Sequence, residues 1–80
     1  MAIEKLTPEL IEQIEKLAVQ LTKLPCDRMI VDYDREVDCL YLTFEKPQEA
    51  TDSEMLDDWI IVRYRGDKIV GMTVLDASQR

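Results

Sequence analysis

The chain has 80 residues, 46% of them hydrophobic and 34% charged, with a formal net charge of -7. At this length one domain is expected, near the lower limit of what a single core stabilises, because so short a chain buries only roughly 60% of its unfolded surface. Help from oligomerisation is therefore expected. The acidic balance opposes nucleic-acid phosphates, no Lys/Arg cluster reverses it locally, and no apolar run approaches membrane-spanning length. Neither nucleic acid nor a membrane is an expected partner.

The first predicted element is a helix over Pro8 to Lys23. Leu10, Ile14, Leu17, Leu21 and Leu24 recur at spacings of four and three, and Ile11 and Ala18 widen the stripe. Thr7 is the expected N-cap and Pro8 the first helical residue, where a missing N–H costs nothing. Leu6 and Ile11 occupy the two positions of a hydrophobic staple, and Glu12 can pair with Lys16 one turn on. Pro25 ends the helix by biasing Leu24 away from the α region. The stripe is too short for a coiled coil, so docking on a sheet is its simplest use.

From Met29 onward the pattern is β. Met29 to Tyr33 and Cys39 to Phe44 are rich in β-branched and aromatic residues, with the polar Asp34 to Asp38 as the turn between them. Pro47 is expected to end the second strand, and Gln48 to Glu54 reads as mostly loop, with a short strand around Ser53 to Leu56. Asp57-Asp58 reads as a turn. Trp59 to Tyr64 and Ile69 to Leu75 then form a hairpin about Gly66-Asp67, where Gly66 supplies the positive φ. Counted regularly from that turn, Val62 faces Gly71 and Ile60 faces Thr73, while Arg63 faces Val70, Ile61 faces Met72 and Trp59 faces Val74. Both sheet faces then look apolar, and one helix covers only one of them. The uncovered face predicts a homodimer or higher assembly, with Trp59, Ile61, Val70, Met72 and Val74 as the candidate interface. A sheet curled tightly enough to shield both faces is the alternative.

Chemistry-bearing patterns are scarce. Histidine is absent, which leaves out Ser-His and Cys-His nucleophilic pairs and the usual zinc sets within one chain. The two cysteines, Cys26 and Cys39, are too few for a secreted disulfide scaffold. The start shows no cationic head or apolar core of a signal peptide, so reduced thiols in the cytoplasm are expected. The acidic string Asp32, Asp34, Glu36, Asp38 resembles half of an EF-hand loop. Val37 stands where the loop needs glycine and Thr43 where it needs the bidentate Glu, so a solvated turn is the stronger reading. The only glycines are Gly66 and Gly71, too few for a phosphate loop; Gly71 within a strand signals a close approach. No catalytic, metal-binding or cofactor-binding residue is assigned, and no cofactor is expected.

The run from Val31 to Leu42 with its Tyr-Asp turn, the strand Ile60-Ile61-Val62, and the ending Ile69-Val-Gly-Met-Thr-Val-Leu-Asp-Ala-Ser78 together resemble domain-of-unknown-function family 2283. The resemblance spans about residues 29 to 78. Trp59, where glycine is common, and the short Gly66-Asp67 turn depart from it. It implies a small bacterial- or archaeal-type α+β protein, supplies no catalytic residues, and suggests by analogy an acidic, antitoxin-like partner of a basic protein.

The combined expectation is a single α+β domain: a helix within residues 1–25 packed on a four- or five-stranded antiparallel β-meander over residues 29–78. The expected function is a non-enzymatic, oligomeric interaction protein whose net charge attracts a basic protein partner, although solubility alone explains such charge equally well. The alternative is a small-molecule-binding or catalytic oligomer, its site at a subunit interface lined by Tyr33, Tyr41 or Asp residues from two chains.

Overall fold

A computed structural model describes residues 2–46 and 49–80. The expected strand stop at Pro47 and the loop start at Gln48 lie outside the described residues. The architecture is α+β: helix α1 (Pro8–Thr22) precedes strands β1 (Ile30–Asp34), β2 (Cys39–Thr43), β3 (Asp52–Leu56), β4 (Ile60–Arg65) and β5 (Lys68–Val74), followed by a 3₁₀ turn at Ala77–Gln79.

Local chemistry sets the element ends. Thr7 has extended backbone and its Oγ1 accepts from the Leu10 amide at 3.1 Å, satisfying one of the orphan donors of the first turn. Glu12 and Lys16 meet at 3.1 Å on the exposed side. Leu6, by contrast, is 78% exposed, so the staple with Ile11 does not shelter it. The turns follow left-handed residues: Gly66 at φ 63 between β4 and β5, and Asp57 and Asp58 at φ 52 and 60 between β3 and β4. Two successive positive φ values, with Trp59 N–H donating to the Leu56 carbonyl at 3.2 Å, give a turn whose twist suits a hairpin.

The five strands lie in the order β1-β2-β5-β4-β3, all neighbours antiparallel. This is not a meander in sequence order. The β1-β2 hairpin and the β3-β4-β5 meander are joined side by side through β2 and β5, which leaves β1 and β3 at the edges.

The β4-β5 register differs from the regular count. Tyr64 pairs with Ile69 as expected, but Arg63 pairs with Gly71, so Val70 is an extra residue on β5. Every pair beyond it moves by one: Val62 faces Met72, Ile61 faces Thr73 and Ile60 faces Val74. Paired residues share a face, so the bulge sorts the sheet into unlike sides. A largely aliphatic face carries Ile60, Val62, Met72 and Val74, continued by Leu40 and Leu42 on β2, Val31 and Tyr33 on β1, and Leu56 on β3, with the acids Glu54 and Asp52 of β3 on the same side at its edge. The other is mixed, with Ile61 beside Arg63, Thr73, Tyr41 and Asp32. The expectation of two comparably apolar faces is thus replaced by one aliphatic face and one polar-lined face.

The core lies along β4 and β5, where Val70 is 0% exposed and Val62 and Thr73 are each 2% exposed. The Thr73 hydroxyl accepts from the Arg63 guanidinium at 2.7 Å, so this buried polar group is satisfied. Helix α1 contributes no buried residue and packs along none of the strands among the described residues. The radius of gyration is accordingly 14.3 Å with a longest dimension of 43 Å, against ~12 Å for a compact chain of this length.

The left-handed Asp58 gives a direct test of the turn. Replacement by Val should cost about 1–2 kcal/mol in urea unfolding, because a β-branched side chain is strained at positive φ. Asp58→Gly should leave stability unchanged or raise it.

Candidate functional site

Three features compete for a functional role: an acidic knot at the C-terminal end, two clefts, and the uncovered aliphatic surfaces.

The knot is built on Asp38, which closes the β1-β2 turn in the left-handed region at φ 52. Tyr33, on β1, donates its phenol to Asp38 Oδ1 at 2.5 Å. Forty residues on, the Ser78 amide donates to Oδ1 at 3.0 Å and its hydroxyl to Oδ2 at 2.7 Å. The Ala77 amide also reaches the Asp38 carbonyl at 2.9 Å. These bonds tie the C-terminal 3₁₀ turn to the first hairpin. Arg80 continues the structure, its guanidinium 4.4 Å over the Trp59 ring and 3.7 Å from the Asp76 carboxylate. Every acceptor of Asp38 is engaged by its own chain, so the geometry is that of a fastening, with no atom poised for chemistry.

The charges agree. The bond from Tyr33, helped by Ser78, holds the Asp38 carboxyl below its usual range, and the same bond holds the Tyr33 phenol above its own. Glu45 is likewise lowered by its hydrogen bond from Arg65. Burial, with Glu54 nearby, raises the Tyr64 phenol. None of these groups is pushed toward neutrality, where a general acid or base works best. Among the described residues no group of three or more His, Cys, Asp or Glu side chains gathers to hold a metal. In the acidic string, Asp34 accepts from the Glu36 amide at 3.0 Å, which is turn chemistry.

The larger cleft, about 600 Å³ and half open, is lined by backbone and side chains of 27–30 and 43–46, including Arg28, Glu45 and Lys46. The smaller, about 220 Å³, is apolar and lies between Leu24, Pro25 and Cys26, just after α1, and Phe44, Ile69 and Met72 at one end of the sheet. It is below the ~300 Å³ at which small-molecule pockets usually begin. Both thiols are free: Cys26 borders this cleft, while Cys39 is buried with its sulfur 3.5 Å from the Val37 carbonyl.

The third feature is the most extensive. Along α1 the stripe residues Ile14 and Leu17 are 52% and 49% exposed, and Val31, Leu56 and Ile69 stand open on the sheet. The candidate interface residues divide among these surroundings. Met72 and Val74 share the aliphatic face, as does Ile60, which the sequence reading left out because a regular register places it opposite Thr73. Ile61 points to the mixed face. Val70 is fully enclosed at the bulge and has no surface to offer, and Trp59 is covered by Arg80. Tyr33 and Tyr41 lie on opposite faces, so one chain does not bring them to a common site.

The sequence matches the family model described as Protein of unknown function (DUF2283) over residues 30–78. The chain belongs to this family. No curated protein and no solved structure matches it. The matched segment runs from the start of β1 to Ser78, the partner of Asp38, so the knot fastens its two ends together. α1 lies outside the match. No helix among the described residues is long and apolar enough to cross a membrane.

The knot predicts two pH limits. Asp38 is depressed in the folded state, so its contribution is present above the unfolded value of ~4 and is lost as pH falls through the folded one. Tyr33 is raised, so its contribution is present below ~10 and is lost as pH climbs through the folded value. Asp38→Asn should return the Tyr33 phenol toward ~10 and speed amide exchange at Ala77 and Ser78 several-fold, both read by NMR.

Proposed function

We propose that this chain is a non-enzymatic interaction protein that works as a homo-oligomer in the cytoplasm and presents an acidic surface to a basic protein partner, as an antitoxin would. The observation that carries the reading is the pair of exposed aliphatic surfaces, the α1 stripe and the rim of one sheet face at Val31, Leu56 and Ile69 around its half-buried centre. Surfaces of that extent mark association when they occur on folded domains. The net charge of -7 supports a basic partner and opposes nucleic acid. The free thiols support a reducing compartment.

Acids border the sheet at both edges, Asp32 and Asp34 on β1 and Asp52 and Glu54 on β3. Two copies brought edge to edge would set like charges together, which disfavours continuation of the sheet. Assembly through faces follows, with Asp32 and Asp34 of β1, which lie on the mixed side, left outside for the partner.

Sedimentation equilibrium over a dilution series should show a species at a multiple of 9.3 kDa that dissociates on dilution. A 9.3 kDa species persisting at millimolar protein would sink the assembly. Retention of a basic protein or Lys/Arg-rich peptide should weaken steeply as salt rises from low to physiological ionic strength, where screening shortens to ~8 Å.

A further inference from the structure

We infer that the aliphatic face of the sheet is covered by α1 of a second copy of this chain, in reciprocal exchange. The inference rests on the oligomeric reading above and names what fills the interface.

Dimensions come first. The helical part of the stripe, Leu10 to Leu21, runs ~17 Å along α1 at 1.5 Å per residue. The five-stranded face is ~19 Å across at 4.8 Å per strand interval. A single helix laid over the strands therefore spans most of the face, while Leu24 stays at the cleft of its own chain. Pairing two stripes as a coiled coil would engage only about two heptads and leave both sheets bare.

Area comes second. Ile11, Ile14 and Leu17 on the helix and Val31, Leu56 and Ile69 on the sheet are each two-fifths to a half exposed. Those six offer on the order of 500 Å² of apolar surface per copy, and the half-buried Leu42 and Met72 beside them bring the total toward the ~800 Å² per partner of a standard interface. In a two-fold exchange each copy contributes helix and sheet at once, so both surfaces are consumed by one closed assembly.

Placement comes third. The chain just beyond α1 is seated at the end of the aliphatic face, where Leu24, Pro25 and Cys26 border Phe44, Ile69 and Met72. From that seat α1 packs along no strand of its own chain, and the molecule is drawn out to 43 Å. The stripe is thus presented beyond the sheet to which it is tethered, in the position a reciprocal partner requires. The acids on β1 and β3 block the competing edge-to-edge arrangement.

The test is a half-filtered NOE experiment on the full chain, mixing carbon-13-labelled and unlabelled protein after unfolding and refolding together. Exchange predicts intermolecular contacts from the methyls of Leu10, Ile14 and Leu17 to those of Leu42, Met72 and Val74. A dimer showing only helix-to-helix or sheet-to-sheet intermolecular contacts overturns the exchange and leaves the oligomeric reading standing. The same helix-to-sheet contacts found only within one chain overturn it in favour of fold-back. A monomer at millimolar concentration overturns both. The variant Ile14→Asp with Leu17→Asp should weaken self-association by on the order of 100-fold or more while the strand amide signals keep their dispersion; undiminished association would contradict the exchange.

Discussion

One extra residue in β5 decides what this sheet can do. A strand alternates its side chains between faces, so a single insertion moves everything beyond it to the other side. With Val70 unpaired between Ile69 and Gly71, Met72 and Val74 come beside Val62 and Ile60, and Thr73 comes beside Ile61. Without it, each face would hold a mixture, and Thr73 would stand in the aliphatic patch. The bulge also places Val70 where it is fully enclosed, so the residue that breaks the ladder is anchored by burial. Sorting by bulge leaves a face that a helix can cover and a face that Arg63 and Thr73 can satisfy from within the chain.

Much of this was legible in the residues. Thr7 and Pro8 announced α1, Glu12 and Lys16 its exposed side, Asp57-Asp58 and Gly66 the turns, and the strand segments fell within a residue or two of their final ends. Two things were not read. The first is the bulge, although Gly71 carried its signal: a glycine within a strand marks either a close approach or a bulge, and only the first meaning was taken. The second is strand order. Hairpins are specified by their turns, which are local, whereas the β2-β5 pairing joins segments some thirty residues apart through side-chain fit that no spacing reports. The candidate interface residues divide between the two faces for the first reason, since a regular count sets Ile61 opposite Met72 and the extra residue sets it opposite Thr73.

The acidic knot shows how recognisable residues can serve fastening alone. Tyr33, Asp38 and Ser78 lie within the segment that matches the family, and they are the residues that bind the last turn to the first hairpin. A carboxylate that accepts three hydrogen bonds from its own chain has little capacity left for a ligand. The sheet is a closed loop in consequence, its beginning and end fastened across the β2-β5 seam. Such a sheet is defined without α1 but leaves its aliphatic face bare.

That division gives the helix its significance. The family match spans the sheet and the turn after it, residues 30–78, and leaves α1 outside. In this chain α1 is apolar on one side and buries none of its residues. An 80-residue chain gains too little burial from β4 and β5 alone for a robust core, because surface outweighs interior at this size. Any further burial of the exposed rim residues would therefore add to a core that is small for the chain. The acids on β1 and β3 set like charges along both edges of the sheet, which disfavours edge-to-edge continuation of the ladder.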